Sequence, residues 1–529
     1  MRKDFRKTVY GKSRLLTSRL ALSMIISMYL TGCMFAGDED SYVPKGGAGG
    51  IENQAESLQA EKEGAGDQPG SVPAGQDGTE GIQTEKGDAF QWNRYQSIPS
   101  DLPEAYDYRK EGRAPRIGNQ GSLGTCWAFA SLTALESTLL PSNPLTFSAD
   151  HMSMHNSFLL GQDEGGEYTM SMAYLLSWQG PVLESEDPYG DGISPDGLLP
   201  KVHVQEIQIL PSKDYEAIKA AVYETGGVQS SLYTSMQDYE SESVYYNKNT
   251  NSYCYMGGEE PNHDSVIVGW DDSYPRENFN MDLPGDGAFI CTNSWGEDFG
   301  DQGYFYVSYF DTNIGVHNIV YTGIESADNY SRVYQSDLCG WVGQIGYGKD
   351  TAWFANVYQA GTEEALAAAG FYATGEDTSY ELYLVRDFSE EALEQETEKE
   401  TDRKTDREIS RETGRETGRE TDRETGKGRK KWDFLAKGRL EHAGYYTIPL
   451  EKKIPLEAKE KFAIIVKITT PDTVHPVAIE YDAGDGIAQV ELGDGEGYLS
   501  HDGAIWERVE KTHACNLCLK AYMVSHQPE

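Results

Sequence analysis

Positive charge is scarce: 45 Lys and Arg stand against 86 Asp and Glu, a formal net charge of −41. Such a chain does not seek nucleic acid or an anionic lipid surface by bulk electrostatics, and its self-repulsion suits a soluble, extracytoplasmic protein. Near the start, the apolar run Leu20 to Leu30 (LALSMIISMYL) falls short of the about 20 residues that a membrane-spanning helix needs. Metal-binding patterns are missing: His151 and His155 stand four apart without an HExxH context, and Cys515-Asn516-Leu517-Cys518 has no second CxxC. The latter also lacks a thioredoxin-like setting, which argues against a thiol oxidoreductase. No metal and no cofactor is called for. What is abundant is glycine, at 56 residues, and tyrosine, at 34, a mixture that fits β-rich domains joined by flexible linkers.

The first segment reads as an address. Arg2, Lys3, Arg6, Lys7, Lys12, Arg14 and Arg19 form a basic region ahead of the apolar core, which ends in Leu30-Thr31-Gly32-Cys33. This ending resembles the lipobox of bacterial lipoproteins; the alternatives are an ordinary signal peptide and a short membrane anchor. The resemblance implies a signal peptide over residues 1–32, acylation of Cys33, and a lipid-anchored place in the bacterial cell envelope. Two or more acyl chains hold a protein stably on a membrane. Residues 33–100 then read as a disordered acidic linker, low in hydrophobicity and able to reach across the envelope.

Ordered patterns begin near Leu102. In Asn119-Gln120-Gly121-Ser122-Leu123-Gly124-Thr125-Cys126-Trp127-Ala128-Phe129-Ala130, a thiol precedes a run with apolar residues at Ala128, Leu132, Leu135 and Leu139. Those positions form one stripe of an amphipathic helix, stopped by Pro141. A thiol at a helix N-terminus faces free N–H groups and the positive end of the macrodipole, so its pKa should fall. A small buried core residue reads equally well from this stretch alone. Farther on, Asn262-His263-Asp264-Ser265-Val266-Ile267-Val268-Gly269-Trp270 places a histidine at the head of a strand. Gly287 to Gly296 (GAFICTNSWG) is a strand that ends at the amide Asn293 beside Trp295.

The three stretches together resemble the nucleophile, histidine and asparagine motifs of papain-like cysteine peptidases. His263 follows Cys126 by 137 residues, inside the interval of about 130–150, and Asn293 follows it by 167, somewhat beyond. The resemblance covers about Leu102 to Gly323 and implies a two-lobed α+β peptidase fold over residues 101–323. It implies Cys126 as nucleophile, His263 as general base and acid, Asn293 as the amide that orients the ring, and Gln120 as an oxyanion donor. It further implies that Gly165 and Gly166 offer backbone groups to an extended substrate and that Trp295 flanks the site and shields the His263–Asn293 bond. The chain departs from the family at Leu123, where many relatives carry a cysteine paired to one near the double glycine; Asp163-Glu164 stand in the partner's place. Asp264 replaces a commoner small residue after the histidine, and no helical prosegment of the usual type precedes Leu102.

After about Ile324 come short aromatic and β-branched strands, such as Thr351 to Tyr358, Tyr380 to Val385 and Phe462 to Thr470. Their spacing suggests an all-β sandwich over residues 324–529. The region resembles the lectin-like domain that follows the peptidase in clostridial cell-wall cysteine peptidases, through Thr351-Ala352-Trp353-Phe354-Ala355-Asn356 and Cys518-Leu519-Lys520-Ala521-Tyr522. Residues 389–431, dense in charge of both signs, read as a disordered insertion. With Cys33 and Cys126 assigned, Cys254, Cys291, Cys339, Cys515 and Cys518 remain, an odd set that leaves room for a disulfide in the second domain. Two functions follow. One is a surface-anchored endopeptidase acting on proteins or peptides through a Cys126 thioester. The other is a catalytically weak adhesin whose lectin-like domain binds wall polymer or a surface protein.

Overall fold

The computed structural model describes residues 102–236, 240–361, 363–393, 432–484 and 487–525. Cys33, the linker before Leu102 and most of the charged insertion lie outside these residues. Within them the first part of the chain holds four main helices: α1 (Cys126–Leu139), α2 (Ala149–Met154), α3 (Tyr168–Leu176) and α4 (Tyr215–Glu224).

α1 starts at the thiol and ends before Pro141, whose ring cannot continue a helix. Ala128, Leu132, Leu135 and Leu139 are all buried, but so are Trp127, Ala130, Ser131, Ala134 and Glu136. The one-sided amphipathic stripe is therefore corrected. The helix is enclosed on nearly every side because it packs against α2 and α3 and also against the strands His263–Asp271 and Asn318–Ser326. Burying each large aliphatic side chain there contributes roughly 1.5–3 kcal/mol. Ser131 shows how a polar residue survives inside: its hydroxyl donates to the Trp127 carbonyl at 2.8 Å and meets Ser171 at 2.6 Å and Gln229 at 2.8 Å.

One long sheet runs through both parts of the chain. From one edge it takes Arg332–Tyr334, Leu519–Ser525, Glu364–Ala373 and Ala443–Leu456, strands of the second part. It continues through Val202–Ile209, Asn318–Ser326, Val228–Leu232, His263–Asp271, Ala288–Thr292 and Tyr304–Ser308, strands of the first. The join is antiparallel, with Ala443 opposite Ile209 and Tyr446 opposite Glu206. Tyr372, Tyr445, Ala478 and Cys518 share a single apolar core with Trp127, Leu135 and Tyr174, so the two parts meet as the interior of one body. A second sheet, Asp433–Leu440, Thr378–Arg386, Lys461–Thr469, Thr351–Gln359, Gly497–Ser500 and Glu507–Arg508, packs on the first over its own core and completes the sandwich. The fold is thus a papain-like α+β part followed by an all-β sandwich.

The possibility of a disulfide in the second part is corrected: Cys254, Cys291, Cys339, Cys515 and Cys518 are all free and buried. Cys515 lies in the sandwich core, and the Cys518 thiol donates to the Gly340 carbonyl at 3.2 Å. His151, stacked on His155 at 4.5 Å, is bonded through Nδ1 to the Tyr174 hydroxyl at 2.7 Å, and burial pushes its pKa down to about 4.

Glu136 carries a consequence for stability. Its carboxylate accepts the Phe147 N–H at 2.7 Å, yet burial inside α1's packing pushes its pKa from 4.5 up to about 8. Between those values the folded chain binds a proton that the unfolded chain has released, so this residue's contribution to stability falls as pH rises. Glu136→Gln keeps an acceptor and removes the titration. Urea midpoints at pH 5 and pH 8 should therefore differ less in Glu136→Gln than in the wild type, with the gain of the variant confined to the alkaline side.

Candidate active site

The first amides of a helix have no intrahelical partner. At α1 the capping position belongs to Thr125, whose hydroxyl lies 2.6 Å from that of Tyr189 and makes no cap bond. Backbone N–H groups of Asp264, Trp127 and Cys126 favour a charged sulfur at Cys126. They are outweighed. Burial, aided by the charge of Asp264, pushes the thiol up to about 12. The expectation that the helix terminus by itself lowers this pKa is corrected, because the packing around this part-buried residue removes much of the water that would stabilise a lone thiolate.

His263 heads its strand, and its Nε2 lies 2.8 Å from Asn293 Oδ1. The same oxygen accepts the Ser294 N–H at 2.7 Å. Because an amide oxygen can only accept, Nε2 carries the proton and Nδ1 the lone pair. Burial pushes the imidazole pKa down, opposed by the Asn293 bond and by Asp264. Thiol and imidazole are each driven neutral for the same reason. Trp295 is buried with its ring 4.9 Å from that of His263 and edge-on to Phe299 at 5.0 Å, which keeps water from the His263–Asn293 bond.

Gln120 is held on three sides. Its N–H donates to the Ser294 carbonyl at 2.8 Å, its Oε1 accepts from Ser294 Oγ at 2.6 Å, and its Nε2 donates to the Leu123 carbonyl at 2.7 Å. Nε2 has a second hydrogen, which meets no partner among the described residues. Asn119 bridges Trp295, and the Gly296 N–H donates to the Gly118 carbonyl at 2.9 Å, so the nucleophile and asparagine stretches are stitched together.

The double glycine lies beside the thiol. Gly165 adopts φ +88°, open to glycine at no steric cost, and a Cβ on Gly166 would come within 2.4 Å of the Trp127 indole. A Cβ on Gly124 would lie 2.7 Å from the Gly165 nitrogen. Leu123 and Asp163 flank a backbone bond, Gly124 N–H to the Gln162 carbonyl at 2.7 Å, where the family's disulfide is absent. Tyr189, which ties Thr125 to the Gln120 carbonyl at 3.0 Å, carries no sequence signal. The part played by Ser294 is hidden inside the asparagine motif and becomes visible only once Gln120 is opposite it.

Residues 102–324 match the family profile described as papain family cysteine protease, and residues 333–414 and 419–523 match that of a lectin like domain. The chain joins a papain-family protease domain to a lectin-like domain. Cathepsin K of Mus musculus is 27% identical over 210 residues, 38% of this chain and 59% of that protein. Cathepsin S of Bos taurus is 29% identical over 227 residues, 40% of this chain and 63% of that protein. The chain thus spans about three-fifths of the length of these relatives. The clostridial cysteine protease Cwp84 after propeptide cleavage superposes with a TM-score of 0.65 at 23% identity, over 80% of this chain and 99% of that one. The protease and lectin-like domains of Cwp84, a surface layer associated protein of Clostridium difficile, give 0.64 at 23%, over 82% and 91%. At that identity the likeness speaks for the fold.

Within the papain-family domain Asp264 is the unusual neighbour of the pair. Its carboxylate accepts from Gln229 Nε2 at 2.9 Å and Ser231 Oγ at 2.6 Å, which fixes it on the strand. Its negative charge favours the protonated form of both Cys126 and His263. Removing that charge lowers both pKa values. Asp264→Asn should therefore move both limbs of the pH profile of Cys126 alkylation and of kcat/KM to lower pH; an unmoved or alkaline-shifted profile would contradict the assigned sign.

Proposed function

We propose that the chain is a cysteine endopeptidase that cleaves protein or peptide substrates through a thioester at Cys126. The observation that carries this reading is the 2.8 Å bond from His263 Nε2 to Asn293 Oδ1 under Trp295, which leaves Nδ1 unprotonated for the thiol of α1. Nδ1 takes the thiol proton as sulfur attacks the scissile carbonyl carbon. The resulting oxyanion is met by the Cys126 N–H and by the second hydrogen of Gln120 Nε2. The C–N bond breaks as His263 returns the proton to the amine. Water then attacks the thioester by the same route, releasing the acid and restoring the thiol.

An epoxide inactivator of thiol proteases should label the wild type at Cys126 and leave Cys126→Ala unlabelled and inactive. Gln120→Ala should lower kcat about 10²–10³-fold while the epoxide still reacts. A wild type that neither labels nor cleaves an unfolded protein under reducing conditions near neutral pH would leave the adhesin reading standing.

We infer a place on the bacterial surface. Two features support it: the fold shared with Cwp84, a surface layer associated protein, and the Leu30-Thr31-Gly32-Cys33 ending of the first apolar run. Among the described residues no helix is long and apolar enough to cross a membrane. Attachment in this reading comes from acyl chains on Cys33, and the lectin-like domain offers a surface to wall polymer or a surface protein. Metabolic labelling with a fatty acid should mark the wild type and not Cys33→Ser; label that persists in the variant would refute acylation there.

A further inference from the structure

Residues 157–166 connect α2 to α3 and carry the double glycine at their far end. No disulfide ties this loop down among the described residues. Its far half is held from within the protease domain: Gln162 Nε2 donates to Asp150 Oδ1 at 2.7 Å and to Ser153 Oγ at 2.8 Å, and the Gln162 carbonyl accepts the Gly124 N–H. Its near half is held from the lectin-like domain. The Leu159 N–H donates to the Ile487 carbonyl at 2.7 Å, and the Gln489 N–H donates to the Ser157 carbonyl at 3.2 Å. Phe158 and Ala488 thereby form an antiparallel bridge. The buried Cys339 thiol adds a donor to the Ser157 carbonyl at 3.4 Å, and Gln179 Nε2 reaches Ser157 Oγ at 2.6 Å. The two bonds between 157–159 and 487–489 are made by backbone, while the side chains of Leu159 and Gln489 face solvent.

We propose that the backbone edge Ile487–Gln489 of the lectin-like domain is a positioning element of the peptide groove, holding the loop 157–166 so that Gly165 and Gly166 meet an extended substrate in register. The inference rests on the peptidase reading. A short antiparallel edge does here what a covalent tie between Leu123 and Asp163 would otherwise do. It acts on substrate alignment through the loop and leaves the Cys126–His263 pair alone, since that pair is fixed by α1 and by the strand His263–Asp271.

The test compares Gln489→Pro, which deletes the N–H that meets Ser157, with Gln489→Ala, which keeps it. Losing one such bond to a part-buried carbonyl should raise KM for a peptide spanning the scissile bond about five- to tenfold. kcat and the alkylation rate of Cys126 by iodoacetamide should stay within about twofold, and deuterium uptake over 157–166 should quicken, while Gln489→Ala behaves as wild type. Leu159→Pro against Leu159→Ala removes the other bond from the opposite side and serves if Gln489→Pro does not fold. Unchanged KM alongside faster uptake overturns the proposal, as does unchanged uptake. An equal fall in alkylation and kcat also overturns it, because that marks general damage. A wild type without turnover would instead sink the peptidase reading, and deuterium uptake would still report on the loop.

Discussion

A part-buried thiol and a buried imidazole carry charge far better together than apart. Burial pushes Cys126 up to about 12 and His263 down, so neither a lone thiolate nor a lone imidazolium is stable in the cleft. The same low dielectric strengthens their attraction once a proton has passed from one to the other. Much of the surrounding structure follows from this. Asn293 fixes which ring nitrogen can accept, Trp295 covers that bond, and backbone N–H groups favour charge on the sulfur. Asp264 adds the same sign to both partners, so it shifts the pH window of the pair more than the balance between its members.

Holding two such groups in place requires rigid carriers. α1 is one: enclosed between helices and sheet, it leaves only Cys126, Phe129, Thr133 and Thr138 partly exposed. The strand His263–Asp271 is the other, paired on both sides in a sheet that runs on into the lectin-like domain through Ala443–Tyr446. Aromatic residues from both domains fill one core, which makes separation of the two as costly as opening an interior. Even the charged pair Lys520–Asp337, at 2.8 Å, is fully enclosed near this junction, and breaking one partner of such a pair costs about 3–5 kcal/mol. The lectin-like domain therefore shares the scaffold that carries the strand His263–Asp271.

How much of this could be read from the chain depends on whether the signal is local. Gln120, Cys126, His263 and Asn293 stand out as candidates because each sits in a short stretch with its own chemistry, and the structure sets His263 against Asn293 and Gln120 against Ser294. The helix at Ala128–Leu139 was legible in extent and misread in exposure: a stripe of leucines reports one buried face, and small residues such as Ala130, Ser131 and Ala134 give no sign of the second. Strands such as Tyr304–Ser308 and Lys461–Thr469 announced themselves by β-branched and aromatic runs. Val202–Ile209 did not, because Gln205, Glu206 and Gln208 interrupt it; these are buried polar residues that find partners only in the fold, Gln205 accepting from Thr447 across the join at 2.8 Å and Glu206 accepting from Thr322 at 3.0 Å and from Gln208 at 2.8 Å. The pKa of Cys126 was misjudged for a related reason. The sequence carries the helix dipole, a local property, whereas desolvation is set by everything that packs over the sulfur. What stayed hidden, the shared sheet, the bonds of 487–489 to the loop, and Tyr189 against Thr125 and Gln120, consists of contacts between residues far apart in the chain. Backbone hydrogen bonds between two loops leave no side-chain requirement behind, so Leu159 and Gln489 are free to look like ordinary surface residues while their main chain does the holding.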